Sequence, residues 1–436
     1  MDRLDIGLIS IVACMALMAI RVPIGVALIS MSFIGIAWVI NLNAAWGILS
    51  SIPYSFIATW ELSAIPMFLL MGYVAAWSGM TKGLFTAMRL LFNWIPGNLA
   101  VASVGAAALF SAASGSSPAT SAALARIAVP EMLKSKYDPA LATGTIAAAG
   151  TLGSLIPPSI IMIIYGVFTN TEIGPLFVAG FLPGLLTAVC FSAMIIIRVK
   201  AKPALAPSSK LTLAPEERAA AYRDLWPLPT LIIGVLGGIM TGVFSPTEAG
   251  AVGALLAVLI AATRRSLSAT VLWQSLRDAA ISTAVIFFIA IGAAMFQRLM
   301  GISQIPAFFS GLILDFSDNK YIVILLISLI YLVLGCFLEP IGIMLLTLPI
   351  VLPLLIDLEI DLIWFGILSV KLLEIGLVTP PLGLNVYVVN TSLGGRVPLT
   401  TIFRGVTWFV VTDLFVLLML VSFPQISLWL PGITAK

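Results

Sequence analysis

Long apolar runs separated by short polar punctuation occupy almost the whole chain. The clearest, 4–20, 175–197, 226–244 and 405–423, have the length of membrane-crossing helices. Taken together the runs form two sets of seven. The first set covers approximately 4–20, 23–41, 47–78, 97–113, 117–133, 139–168 and 174–199; the second covers approximately 226–243, 246–263, 270–300, 320–336, 340–356, 361–391 and 397–423. Between them lies the one polar stretch of any size, 200–224, with Pro203, Pro207, Ser208, Ser209 and Pro215 ahead of a helix-prone Glu216–Arg223. The pattern predicts an all-α polytopic membrane protein: a first repeat over 1–199, a linker over 200–224 and a second repeat over 225–436.

The two sets echo each other at an offset of 223 residues. Gly153-Ser-Leu-Ile-Pro-Pro158 returns as Gly376-Leu-Val-Thr-Pro-Pro381, and the same offset maps Pro23 onto Pro246, Pro130 onto Pro353, Asp138 onto Asp361 and Pro175 onto Pro398. Five proline coincidences compare with roughly one expected from composition, so an internal duplication is the better reading. Matching interruptions in duplicated halves point to the binding site of a secondary transporter.

Composition closes off the soluble classes. Hydrophobic residues make up 61% of the 436 and charged residues 9%, against about 25% charged in a soluble protein. Met1–Asp5 runs directly into the first span without a basic region or a small-residue cleavage site, which predicts a retained helix and not a signal peptide. The three cysteines, Cys14, Cys190 and Cys336, are isolated in apolar runs and read as small hydrophobes. There is no histidine, which removes zinc-protease motifs and histidine proton relays.

Charge placement sets the topology. The cluster Arg198, Lys200, Lys202, Lys210, Arg218 and Arg223 is assigned to the cytoplasm. Alternating outward from it puts sixteen of the 22 basic residues on that side, leaves Arg3, Arg298, Lys320 and Lys436 outside, and places both termini outside. Arg126 and Lys371 fall within the membrane. Lys82 and Arg89 precede 97–133 while Lys134 and Lys136 follow it, so this stretch crosses an even number of times. Each arm spans about 24 Å, short of the roughly 30 Å hydrocarbon core, which favours a re-entrant hairpin. The equivalent hairpin, about 304–357, starts and ends outside. A unit with one re-entrant pair makes an odd number of crossings, so the two repeats are expected to be inverted relative to each other.

The candidate chemistry sits at the tips and the breaks. The first tip reads Ser114-Gly-Ser116-Ser117-Pro118-Ala-Thr120 and the second Gly335-Cys-Phe-Leu-Glu339-Pro340. Non-helical backbone at membrane depth survives only where it is buried in protein or lines a cavity. Its carbonyls, with hydroxyls or a carboxylate, suit a hard monovalent cation, although helices packed through small residues fit each tip taken alone. The broken helices, about 139–168 and 361–391, carry Gly153 and Ser154 before one break and Gly376 and Thr379 before the other. Consecutive prolines free carbonyls one turn earlier. Half-helix C-termini favour a cation, and the N-termini that begin near Ser159 and Asn385 favour an anion. The cation candidates are therefore Ser114, Ser116, Ser117, Pro118, Gly153, Ser154, Gly335, Glu339, Gly376 and Thr379. The substrate candidates are Thr120, Pro158, Ser159, Pro381 and Asn385. Lys371 and Glu374, three apart on one helix, are expected to pair. Glu61 and Asp413 are further charges in apolar surroundings whose place the sequence does not fix.

At Ser116-Ser-Pro-Ala-Thr120, Gly153-Ser-Leu-Ile-Pro-Pro-Ser159, Ser245-Pro-Thr-Glu-Ala-Gly250 and Glu374-Ile-Gly-Leu-Val-Thr-Pro-Pro-Leu-Gly-Leu-Asn385, the chain resembles the DctM-like large membrane subunit of tripartite ATP-independent periplasmic (TRAP) transporters. The resemblance covers essentially the whole chain. It implies sodium-coupled import of an organic acid (C4-dicarboxylate, keto acid, sugar acid or sialic acid) across the bacterial inner membrane, by an elevator movement of a transport domain against a scaffold. It further implies a small four-helix membrane subunit, a periplasmic substrate-binding protein, sodium as coupling ion without a transition metal or other cofactor, and neither catalysis nor nucleic-acid binding. One sodium site would use the Ser114–Pro118 tip with Gly153 and Ser154, the other the Gly335–Pro340 tip with Gly376 and Thr379. Lys371 departs from the neutral residue the resemblance leads one to expect. The nearest alternative is a stand-alone inverted-hairpin transporter without a binding protein. An intramembrane aspartyl protease would need two intramembrane aspartates where only Asp413 is evident, and a structural scaffold would have no use for paired breaks.

Overall fold

The computed structural model describes residues 2–207, 215–317 and 319–434. Ser208, Ser209 and Lys210 of the linker, and Lys436, lie outside the described residues, among which every regular element is helical. The first half runs α1 (Arg3–Ala19), α2 (Ile24–Val39), α3 (Leu42–Ile57), α4 (Ala64–Trp77), α5 (Met80–Leu91), α6 (Asn98–Ser114), α7 (Ser117–Lys134), α8 (Pro139–Gly150), α9 (Leu152–Leu155), α10 (Ile160–Thr169) and α11 (Ile173–Ala201). After α12 (Pro215–Arg223) the second half runs α13 (Pro227–Met240), α14 (Pro246–Thr263), α15 (Ala269–Ile302), α16 (Ile305–Phe316), α17 (Lys320–Gly335), α18 (Pro340–Asp357), α19 (Leu362–Gly376), α20 (Leu384–Ser392), α21 (Leu399–Ser422) and α22 (Gln425–Thr434). Among the described residues, seven stretches are long and apolar enough to cross a membrane.

The paired residues of the sequence occupy equivalent places. Asp138 and Asp361 both cap their helices, accepting from Leu141 N at 3.0 Å and Trp364 N at 2.9 Å. Pro130 and Pro353 lie inside α7 and α18, and Pro157-Pro158 and Pro380-Pro381 are both cis. Packing is reciprocal as well. Helix α2 packs on α15 as α14 does on α4; α10 packs on α18 and α19 as α20 does on α7 and α8. The halves therefore interlock at the breaks instead of folding side by side.

One expected element is split. The run 47–78 is α3, a 3-10 turn over Trp60–Ser63, and α4. The Thr59 hydroxyl donates to the Phe56 carbonyl at 2.6 Å, which closes α3. Pro66, in the first turn of α4, has no N–H to continue a helix from upstream. Its counterpart α15 contains no proline and runs unbroken for 34 residues. Helices α5 and α16 had no place in the two sets of seven.

Helices α2, α4, α14 and α15 form one packed group; α8, α11, α19 and α21 form another around the breaks. Small residues set the closest approaches, as expected where both lipid and side chains are apolar. A Cβ on Gly144 of α8 would meet the Gly405 carbonyl oxygen of α21 at 2.7 Å, so these two helices touch backbone to backbone.

Candidate functional site

The connection between α6 and α7 is a hairpin tip, and it rests on the break that follows α8. A Cβ on Gly153 would meet the carbonyl carbon and oxygen of Ser116 at 2.6 Å; only glycine admits that approach. The second half repeats the contact: a Cβ on Gly376 would meet Cα of Gly335 at 2.6 Å. Beyond each proline pair a backbone N–H reaches the tip, Ile160 N to Gly115 O at 3.4 Å and Leu382 N to Cys336 O at 3.3 Å. Each tip is thus stitched to the break of its own half.

The first junction is rich in hydroxyls. Ser117 Oγ lies 2.9 Å from Ser154 Oγ, and Ser114 Oγ lies 2.7 Å from Thr120 Oγ1. Ser117 also donates to Glu374 Oε2 at 2.6 Å, so a carboxylate from the other half enters this junction. Glu374 is buried, and its Oε1 has no protein partner. Oxygens of two serines and a carboxylate, with the Thr151 carbonyl 3.4 Å from Ser117 Oγ, make a dense set of hard donors.

Glu374 does not pair with Lys371, contrary to the spacing argument. Lys371 Nζ is bound to Asp413 Oδ1 of α21 and donates to Thr187 Oγ1 of α11 at 3.3 Å. Residues three apart share a helix face, but Glu374 turns to Ser117 while Lys371 finds an acid on a neighbouring helix. Asp413 is therefore not alone in its span; the pair ties α19 to α21 out of contact with water.

The candidate residues separate into two layers. Ser116, Pro118, Ser154 and Glu339 line one cavity of about 260 Å³, together with Tyr73 of α4 and Ser282 of α15. Ser114, Ser116 and Pro118 also line an adjoining cavity of about 520 Å³ that runs along α7 to Arg126. Tyr73 OH and Ser282 Oγ, 2.8 Å apart, stand at the wall facing the tips. Behind this surface, Ser117, Gly153, Thr120, Ser159 and Asn385 are buried. Ser159 caps α10 through Met162 N at 3.4 Å. Asn385 donates to the Ala147 carbonyl of α8 at 3.2 Å, a link between halves, and its Oδ1 is unpartnered. Gly335 and Gly376 face each other, and the hydroxyl of Thr379, just past the end of α19, donates to Ile375 O of that helix at 2.6 Å. Pro158 is buried whereas Pro381 is exposed; neither lines the two cavities. Glu61 lies elsewhere, in a groove of about 540 Å³ with Asn170 and Glu172.

Glu374, Tyr73 and Ser282 were not among the candidates. Glu374 carried a signal, a carboxylate two residues before the second glycine. Tyr73 and Ser282 carried none, because a single polar residue on a long apolar helix does not announce which neighbour it meets.

A family model described as "Tripartite ATP-independent periplasmic transporter, DctM component" matches residues 11–426. A C4-dicarboxylate TRAP transporter large permease protein from Pseudomonas aeruginosa is 38% identical over 86% of this chain and 86% of its own length. A sialic acid TRAP transporter large permease protein from Vibrio cholerae is 33% identical over 97% of both chains. An isethionate TRAP transporter permease protein from Oleidesulfovibrio alaskensis is 30% identical over 87% of this chain and 59% of its own length. Among solved structures, the YdaH transporter of Alcanivorax borkumensis superposes with a TM-score of 0.64 over 89% of this chain and 90% of that one, at 15% identity, a likeness of fold.

Proposed function

The chain belongs to the DctM component family of tripartite ATP-independent periplasmic transporters, and from that premise we propose that it drives sodium-coupled import of a carboxylate-bearing organic acid. The observation that carries this reading is convergence: both hairpin tips and the first helix break open onto one cavity, faced by α4 and α15. Backbone carbonyls and serine hydroxyls at the tips offer sodium the oxygen ligands a hard cation takes. The helix N-termini beyond the breaks offer the substrate carboxylate a positive end.

In this reading the two halves are inverted repeats, with hairpins in 97–133 and in 304–357, where α17 and α18 are the arms and α16 precedes them, and with 139–168 and 361–391 as broken helices. The group around α8, α11, α19 and α21, with both hairpins, slides as an elevator against α2, α4, α14 and α15. Both termini are periplasmic, the linker is cytoplasmic and the membrane is the bacterial inner membrane. A small four-helix subunit completes the membrane part, and a periplasmic binding protein delivers the acid. C4-dicarboxylate and sialic acid, the ligands in the names of two relatives, are the first substrates to test, and isethionate, a sulfonate in the name of a third, tests whether the carboxylate is required.

The experiment is uptake of each labelled acid into vesicles holding this chain and its small subunit, with the binding protein outside. An imposed sodium gradient is expected to drive accumulation, and replacing sodium by potassium to abolish it. Accumulation that ignores sodium would remove the coupling, and uptake undiminished without the binding protein would favour a stand-alone transporter.

A further inference from the structure

Arg126 lies on α7, eight residues beyond Pro118, so it stands about 12 Å further along the helix than the tip. It is exposed and lines the cavity of about 520 Å³ that Ser114, Ser116 and Pro118 also line at the other end. Arg126 is in no ion pair with Glu131 of its own helix or with Asp278, although Asp278, held only by a neutral indole, lines the same cavity. Glu131, further along α7, is bound by Arg89 at 3.0 Å. Asp278, on the α15 wall of the cavity, accepts from Trp77 Nε1 at 3.0 Å. Among the described residues the ion pairs are Arg89–Glu131, Arg264–Asp224 and Lys371–Asp413, and Arg126 is in none. Its guanidinium is thus left free to meet an anion that enters the cavity it lines.

The feature is one-sided. At the offset of 223, Arg126 corresponds to Pro349 and Asp278 to Ser55, so the second half carries no cation at the equivalent place.

We propose that Arg126 binds the carboxylate (or sulfonate) of the transported acid at a second position, two helical turns from the tips and towards the cytoplasmic mouth. The assignment rests on the organic-acid reading above. A guanidinium forms paired hydrogen bonds with a carboxylate that an ammonium does not match. Held there, an acid that has left the tips still occupies the cavity, so acid accumulated inside slows further import.

The test uses phosphatidylcholine vesicles, free of anionic headgroups, holding this chain with its small subunit and with the binding protein outside only. Sodium-driven uptake of labelled succinate, sialic acid and isethionate is measured against increasing internal unlabelled acid. Internal acid is expected to inhibit the wild type. Arg126→Gln is expected to need at least about tenfold more internal acid for half-inhibition, with half-saturating sodium and external acid unchanged within about twofold. Arg126→Lys, which keeps the charge but not the fork, is expected between the two and guards against a Gln variant that fails to assemble. Inhibition of Arg126→Gln at the wild-type concentration, equal shifts for internal and external acid, or a wild type indifferent to internal acid would each overturn the assignment. A wild type that accumulates none of the acids would instead overturn the proposed function beneath it.

Discussion

The two junctions between tip and break share a backbone contact and differ in almost everything around it. In the first, every residue of 151–160 is buried, and serines and a carboxylate meet inside protein. In the second, Pro380, Pro381 and Leu382 are exposed, and the junction depends on Gly335 against Gly376. One backbone solution stands at both junctions, and the side chains around it differ. The divergence is also directional, because the second half lends Glu374 to the first. The hydroxyl of its counterpart Thr151 bonds back to Ala148 O at 2.6 Å. Lys371 and Asp413 correspond to Ala148 and Cys190, so the charged cluster belongs to one half alone.

The sharpest way to break this comparison is to strip that cluster. Asp413→Asn leaves the buried Lys371 ammonium without its counter-charge, and breaking a buried pair costs about 3–5 kcal/mol. The variant is expected to lose thermal stability in detergent by a margin no substitution at Cys190 approaches. Lys371→Met with Asp413→Leu, which removes both charges, is expected to recover most of the loss. A double variant as unstable as Asp413→Asn would mean that the pair does more than neutralise itself.

Glu374 comes next. Glu374→Gln keeps the shape but replaces a hydrogen bond to a carboxylate with a neutral one, a loss of about 1–1.5 kcal/mol or roughly five- to tenfold. Sodium-driven uptake is expected to fall by that order with half-saturating sodium raised, whereas Thr151→Val in the first half is expected to change uptake by less than about threefold. Equal losses in the two variants would remove the directional reading.

The shared backbone contact is tested by adding one carbon. Gly153→Ala and Gly376→Ala each force a tip away from a break, at about 1–3 kcal/mol. The first is expected to be the more damaging, because buried residues around it have nowhere to go while the exposed second junction can open. Thermal unfolding of both variants measures the difference, and a larger loss for Gly376→Ala would reverse the view of which junction is sealed.

What the sequence made legible follows from how each signal is encoded. The helix ends and breaks were readable because proline, glycine and capping aspartate act on their own backbone, and Asp138 and Asp361 cap where the offset places them. The split between α3 and α4 was missed because its punctuation, Thr59, Glu61, Ser63 and Pro66, is scattered among apolar residues that keep the run looking continuous. Lys371 was assigned the wrong partner because spacing along one helix says nothing about an acid 42 residues away on another. Tyr73 and Ser282, 209 residues apart, meet through tertiary packing alone.

The smallest expected effect separates two hydroxyls that the sequence treated alike. Ser117 Oγ sits among Ser154 Oγ, Glu374 Oε2 and the Thr151 carbonyl, so Ser117→Ala leaves several buried oxygens short of a partner. The Thr379 hydroxyl donates to Ile375 O, a helix carbonyl one turn back, and Thr379→Ala removes a local bond that a helix does without. Ser117→Ala is expected to lower sodium-driven uptake about tenfold, and Thr379→Ala no more than about threefold. The order is what matters. If Thr379→Ala raises half-saturating sodium as much as Ser117→Ala does, the second junction binds sodium through a rotated Thr379 side chain, and the two junctions are functionally closer than their side chains suggest.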